Sequence, residues 1–264
     1  TNKGINIKGK SIGIIGCGNV GERLAYIAKV LGFNVIRHDP PIQELLRSGV
    51  EVDSPLGYKR DINDYYSLDF LLKESDIVSL HVPLNKFTYK MCNDTFFSKI
   101  KKDALFINSS RGAVVEDLSI IKYREFLSAV IMDVWNNEPA INPQLLSIVD
   151  IATPHIAGYS LEGKANATQI CVRNFSGHYK ISDLLEFKIV LPAVFESDNI
   201  KDEALSTMSY ANDIVSSYFD ILKIDKLFRE DFTKFERIRD NFDYRRETPM
   251  SVYLKLSKLF NSSI

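Results

Sequence analysis

Ser11-Ile12-Gly13-Ile14-Ile15-Gly16-Cys17-Gly18-Asn19-Val20-Gly21 decides the fold. Its first half is a short apolar run of β type and its second half a G-x-G-x-x-G turn. Val20, Leu24, Ile27, Ala28 and Leu31 then recur at helical spacing until Gly32 ends the pattern. Val35 and Ile36 lead to Asp39, and Pro40-Pro41 reads as a stop. In a strand, glycine turn, helix, strand order, the glycines allow a tight turn and close backbone approach to a pyrophosphate, and the helix N-terminus favours its charge. An acidic residue about 20 positions beyond the turn completes the dinucleotide pattern. Gly16, Gly18, Asn19, Val20 and Gly21 are therefore expected to seat a pyrophosphate, and Asp39 to bond the ribose hydroxyls. A carboxylate there repels a 2′-phosphate, so NAD is expected over NADP, with Arg37 and His38 the neighbours that argue the other way. The plain alternative is a glycine-rich turn followed by a solvated aspartate.

The alternation continues downstream. Asp76 to His81, Ala104 to Asn108, Ala129 to Val134 and Asp150 to Thr153 read as strands, separated by helical stretches at Leu68 to Glu74, Asn93 to Ile100 and Glu116 to Phe126. Strands rich in Ile and Val that alternate with helices predict an α/β fold: a doubly wound parallel sheet, Rossmann-type, covered on both faces. Ligands of such sheets bind at the carboxyl ends of strands. A helix is expected from Ser160, as N-cap, to about Tyr179, then helix over Asp198 to Leu222, a charged and aromatic stretch from Phe228 to Glu247, and helix over Val252 to Phe260. The division expected is 1–180 for the cofactor domain with its return helix and 181–264 for a smaller C-terminal α+β unit.

With 264 residues, 45% of them hydrophobic and 25% charged, the chain has ordinary globular proportions. A net charge of -1 provides no field for nucleic acid or an anionic membrane, and neither is expected as a partner. Cys17, Cys92 and Cys171 form no C-x-x-C pair, so neither a disulfide framework nor a metal site is predicted, and a reducing cytoplasm fits best. The apolar runs are too short to span a bilayer.

Several chemically capable residues fall at or just after predicted strand ends. Glu138 closes Asp133-Val134-Trp135-Asn136-Asn137-Glu138-Pro139, His155 sits in Thr153-Pro154-His155-Ile156-Ala157-Gly158-Tyr159, and Arg111 follows Asn108-Ser109-Ser110. Oxidising a secondary alcohol needs a base for its proton, and an imidazole oriented by a carboxylate supplies one. His155 and Glu138 suit those roles, while the planar fork of Arg111 suits an α-carboxylate. Asp133 could accept from the nicotinamide carboxamide. Singly, each has a commonplace reading: a satisfied core histidine, a surface ion pair, an element end. Their joint placement on successive strand ends is what points to hydride transfer. His81 reads as a pocket wall, His38 and His178 as surface residues.

Ile15 to Gly21, Ser109-Ser110-Arg111-Gly112, Asp133-Val134-Trp135, Glu138-Pro139 and Pro154 to Gly158 resemble, in that order, the NAD-dependent D-isomer-specific 2-hydroxyacid dehydrogenases. The resemblance implies Arg111, Glu138 and His155 as active-site residues and Tyr159 as a substrate contact. It also implies NAD contacts at Asp39, Val82 (through its backbone), Ser109, Ser110, Arg111, Asp133 and Gly158. His155 to Lys164 and Phe235 to Glu247 resemble one branch of that family, whose substrate is 4-phospho-D-erythronate in the vitamin B6 pathway. That branch implies a C-terminal dimerisation domain, a cytoplasmic homodimer and an N-terminal half of a substrate domain ahead of the cofactor domain, which this sequence does not include. Arg245 and Arg246 are candidates for the substrate phosphate, though an exposed helix face or an interface ion pair is the favoured reading. Another D-2-hydroxyacid dehydrogenase, acting for instance on phosphoglycerate, and an NAD(H)-binding dimer without turnover are the alternatives.

Overall fold

The computed structural model describes residue 7, residues 9–191 and residues 216–262, with side chains through residue 258. Six strands form one parallel sheet: β1 (Ser11–Ile15), β2 (Asn34–His38), β3 (Ile77–Leu80), β4 (Ala104–Asn108), β5 (Leu127–Met132) and β6 (Ile151–Ala152), in the order β2-β1-β3-β4-β5-β6. Winding reverses between β1 and β3, so a crevice opens at their carboxyl ends, where Gly16 and His81 stand. Helices α1 (Asn19–Val30), α2 (Pro40–Arg47), α3 (Leu68–Glu74), α4 (Asp94–Phe97), α5 (Asp117–Lys122), α6 (Pro143–Ile148) and α7 (Leu161–Tyr179) follow in chain order. The α/β sheet expected from the alternating pattern is the one observed.

Pro40-Pro41 is the main departure in the first half. The prolines open α2 instead of stopping the chain, because proline in a first turn gives up an amide that has no helical partner anyway. Asp39 is the N-cap, accepting from the Ile42 amide at 3.1 Å. The stretch expected as helix over Glu116 to Phe126 divides into α5 and a 3₁₀ turn at Arg124–Phe126. Ser160 caps α7 through the Gly163 amide at 2.9 Å, and Lys180, at φ 56°, ends it.

Beyond α7 come α8 (Ile221–Glu230), α9 (Phe235–Asp240) and α10 (Met250–Ser262). The helix expected over Asp198 to Leu222 lies outside the described residues except at its end, where 216–218 are helical. Among the described residues beyond 181 there is no strand, only an isolated bridge between Ser160 and Arg245. α8 covers the sheet edge: the Asp225 carboxylate accepts from the Ala152 amide of β6 at 2.7 Å, and Arg229 donates to the Leu146 and Val149 carbonyls. Phe228 and Phe235 are fully buried in the same apolar cluster as Phe97, Phe106 and Met132. Among the described residues no helix is long and apolar enough to cross a membrane.

Candidate active site

The glycine turn is built for close approach. A Cβ on Gly16 would stand 2.5 Å from the His81 carbonyl oxygen, and one on Gly21 would stand 2.0 Å from that of Gly16. These two positions must be bare for α1 to lie against β1 and β3. A Cβ on Gly18 would meet nothing within 4 Å, so its backbone faces open space. Gly18 is also the N-cap of α1 and offers no side chain to the first-turn amides. An uncapped helix N-terminus beside a bare backbone fits the pyrophosphate of a dinucleotide. Cys17 inside this turn is buried, and burial pushes its thiol up to about 12, which excludes it as a nucleophile.

Asp39 is tied to the turn by the Cys17 amide at 2.8 Å as well as to α2, so its carboxylate is fixed at the end of β2. Arg37, which could have drawn a 2′-phosphate, is buried instead. It pairs with Glu22 at 3.0 Å, and Arg60 binds the same carboxylate at 3.0 Å. His38 faces the Tyr66 carbonyl at 2.9 Å. A cleft of about 940 Å³ runs from this turn across the strand ends; Asn19, Val20, His81, Ser109, Gly158 and Tyr253 are among the residues that line it. Burial lowers the His81 imidazole to about 4, so it stays neutral, bonded to the Ser79 hydroxyl at 2.9 Å.

The loops after β4, β5 and β6 meet around Trp135. A Cβ on Gly112 would stand 2.0 Å from the Trp135 backbone, which is why glycine follows Arg111. The Trp135 indole donates to the Thr153 carbonyl at 2.9 Å, and its amide donates to Glu138 Oε1 at 2.7 Å. The other carboxylate oxygen, Glu138 Oε2, lies 2.8 Å from His155 Nδ1. Both side chains are partly buried. Because an ionised carboxylate only accepts, Nδ1 carries the proton and Nε2 is left as the basic nitrogen. His155 itself holds φ 58°, a left-handed backbone uncommon outside glycine. Asp133 enforces it: its carbonyl accepts from the His155 amide at 2.7 Å, and its carboxylate accepts from Thr153, Ile156 and Ala157. Burial holds that carboxyl above the usual aspartate range, opposed by those three donors.

Glu138 and His155 are thus in direct contact. Arg111 is exposed at the neighbouring loop, where its guanidinium donates to the Ser110 carbonyl at 2.6 Å. Ser110 is buried on Asn108, and Ser109 and Gly158 reach the cleft. Val82 lies partly buried against Gly16. Asp133 accepts from protein donors on both oxygens, a positioning role that sequence reading did not foresee. Tyr159 accepts from Arg239 Nε at 2.9 Å, a neighbour that sequence reading did not single out although it lies within the Phe235 to Glu247 stretch. Arg246 pairs with Glu162 at 2.6 Å, and Arg245 donates to the Ala157 carbonyl at 3.0 Å. Among the described residues no cluster of three His, Cys, Asp or Glu could hold a metal ion.

Residues 1–157 match the family described as D-isomer specific 2-hydroxyacid dehydrogenase, NAD binding domain. The chain is 34% identical to an erythronate-4-phosphate dehydrogenase of Acinetobacter baumannii over 90% of this chain and 64% of that one. It is 32% identical to an enzyme of the same name from Bacteroides fragilis, over 93% of this chain and 66% of that one. It therefore spans less than two thirds of the length of each. Among solved structures, a D-lactate dehydrogenase of Aquifex aeolicus complexed with NAD and lactic acid superposes with a TM-score of 0.52 at 28% identity, covering 70% of this chain and 58% of that one. The glycine turn, the fixed Asp39 and the sheet order agree with these likenesses, and the chain belongs to the D-isomer-specific 2-hydroxyacid dehydrogenase family through its NAD-binding domain.

Proposed function

We propose that the protein catalyses NAD-dependent oxidation of 4-phospho-D-erythronate to (R)-3-hydroxy-2-oxo-4-phosphooxybutanoate, a step of pyridoxal 5′-phosphate (vitamin B6) biosynthesis, as a cytoplasmic homodimer. The observation that carries the reading is the His155–Glu138 pair at 2.8 Å, beside the cleft that Ser109 and Gly158 line. The relatives named for this substrate support its identity. When bound, NAD supplies the hydride acceptor. The protein's residues do the rest: Arg111 holds the substrate carboxylate in its fork, and His155 Nε2 takes the proton of the C2 hydroxyl as the hydrogen on C2 leaves as hydride and the C2 carbonyl forms. Glu138 keeps Nδ1 protonated and stabilises the imidazolium that forms. Gly16, Gly18, Asn19, Val20, Gly21 and Asp39 would hold the pyrophosphate and ribose, with Val82, Ser109, Ser110, Asp133 and Gly158 along the nicotinamide half. Tyr159 would contact the substrate, and residues 181–264 would supply the dimer contact.

The test is NADH formation from NAD and 4-phospho-D-erythronate by the natural full-length protein, compared with D-glycerate 3-phosphate. Faster oxidation of the four-carbon substrate is expected; NAD binding with no reduction of it would favour a binding-only role.

A further inference from the structure

Tyr159 is flanked by two cations, Arg239 and Lys164, neither of which forms an ion pair among the described residues. Arg239, on α9, donates from Nε to the Tyr159 hydroxyl at 2.9 Å, and its guanidinium carbon stands 5.9 Å from the ring centre. Lys164, in the first turns of α7, holds its ammonium 4.9 Å from the Tyr159 ring and 5.4 Å from that of Tyr244. Elsewhere the inward arginines are committed: Arg37 and Arg60 to Glu22, Arg124 to Asp150, Arg229 to Asp225, Arg246 to Glu162. Among the described residues, neither Arg239 nor Lys164 makes an ion pair, and the two terminal nitrogens of Arg239 have no hydrogen-bond partner. In a chain with 33 basic and 34 acidic side chains, two such cations on one ring are a local excess.

Their place in the fold matters as much as their charge. Tyr159 is held on the turn after His155, its amide donating to the Ile156 carbonyl at 2.8 Å. The hydrogen bond to the Tyr159 hydroxyl, first, holds the Arg239 guanidinium above the ordinary arginine value, and it is this bond that ties the cation to the turn that follows His155. Arg246 is committed to Glu162, while Arg245 donates to the Ala157 carbonyl, stands over the Phe219 ring and lines the cleft beside the glycine turn.

We propose that Arg239 and Lys164, spaced by the Tyr159 ring, form an anion subsite that takes the phosphate monoester of the substrate and makes the site selective for phosphorylated 2-hydroxy acids. The proposal rests on the dehydrogenase reading of His155. A carboxylate is a single charge, which the Arg111 fork can serve alone. A phosphate monoester carries about -1.5 to -2 at neutral pH with three acceptor oxygens, which calls for a second fork and a further point charge. Arg239 offers the open edge of its guanidinium and Lys164 the point charge.

The experiment compares kcat/KM for 4-phospho-D-erythronate and for D-erythronate in the natural full-length protein and its Arg239→Ala, Arg239→Lys and Lys164→Ala variants. The ratio of the two values is expected to fall roughly 10- to 100-fold in Arg239→Ala, the range of a lost hydrogen bond to a charged group, and to recover in part in Arg239→Lys. An equal fall for both substrates would mean that Arg239 only holds Tyr159, and would overturn the subsite. Calorimetric titration of the NAD-loaded protein with inorganic phosphate, against acetate, reads the site without turnover. Phosphate binding that Arg239→Ala abolishes supports the subsite even if no alcohol is oxidised, in which case the dehydrogenase reading alone fails. Phosphate binding that is absent, matched by acetate, or indifferent to Arg239 overturns it.

Discussion

His155 shows how much local structure one proposed base requires. Its left-handed backbone is held because the Asp133 carbonyl and carboxylate bind the amides of residues 155, 156 and 157 in succession. Asparagine tolerates that backbone, so His155→Asn is expected to fold normally and to lower kcat by about 10²- to 10⁴-fold, the usual contribution of general-base catalysis. Unchanged turnover in steady-state assays would remove His155 from the chemistry. Asp39 has two duties, one to the Cys17 amide and one as the cap of α2. Asp39→Ala should therefore weaken NAD by roughly 10-fold or more relative to NADP and also cost about 1 kcal/mol of stability. Fluorescence titration with both cofactors and urea melts would check the two effects separately; an unchanged cofactor preference would count against the ribose role.

The elements differ in how far the sequence revealed them. β1, the glycine turn and α1 were legible because an apolar run, glycines and a helical period coincide within a few residues. α2 was misread because two prolines signal both a helix start and a stop, and only the Asp39 cap distinguishes them. The loops that carry Arg111, Glu138 and His155 were legible as strand ends, but their convergence on Trp135 was not, since it depends on a glycine at 112 whose partner lies in another loop. Two substitutions separate these effects. Gly112→Ala would drive a Cβ into the Trp135 backbone and should destabilise by about 1–3 kcal/mol or more, with loss of activity, as read by denaturant melts. Gly18→Ala meets open space, so its stability should change by less than about 1 kcal/mol while NAD affinity falls, because the added methyl occupies the approach to the α1 N-terminus. Equal NAD affinity in Gly18→Ala would argue against a pyrophosphate at that turn.

Sheet and C-terminal helices are energetically joined, although sequence texture changes between them. Phe228 lies 6.0 Å, ring to ring, from Trp135, and Asp225 closes the edge of β6. Phe228→Ala should therefore cost about 3–5 kcal/mol and lower the stability of the sheet with that of α8, a result that hydrogen exchange on β5 and β6 amides would register. His81 adds to acid sensitivity, beside carboxyls such as Asp76 and Glu162 that, against burial, their partners hold below the ordinary range. The folded value of His81, near 4, lies below the unfolded 6.5, so the unfolded chain binds the extra proton and stability falls as pH drops through that interval. The loss should reach about 2–3 kcal/mol between pH 7 and pH 4.5, and His81→Gln should lack that component when urea melts are compared at both pH values.

The decisive observation concerns the proton and the hydride together. Oxidation of 4-phospho-D-erythronate deuterated at C2, followed as NADH absorbance in the full-length wild-type protein and in Glu138→Gln, should show slower turnover with the deuterated substrate in both proteins. Glu138→Gln should be slower than wild type by about 10- to 100-fold at unchanged NAD affinity. Wild-type turnover in Glu138→Gln, or NAD binding with no NADH formed by the wild type, would contradict a site in which Glu138 and His155 work as one unit.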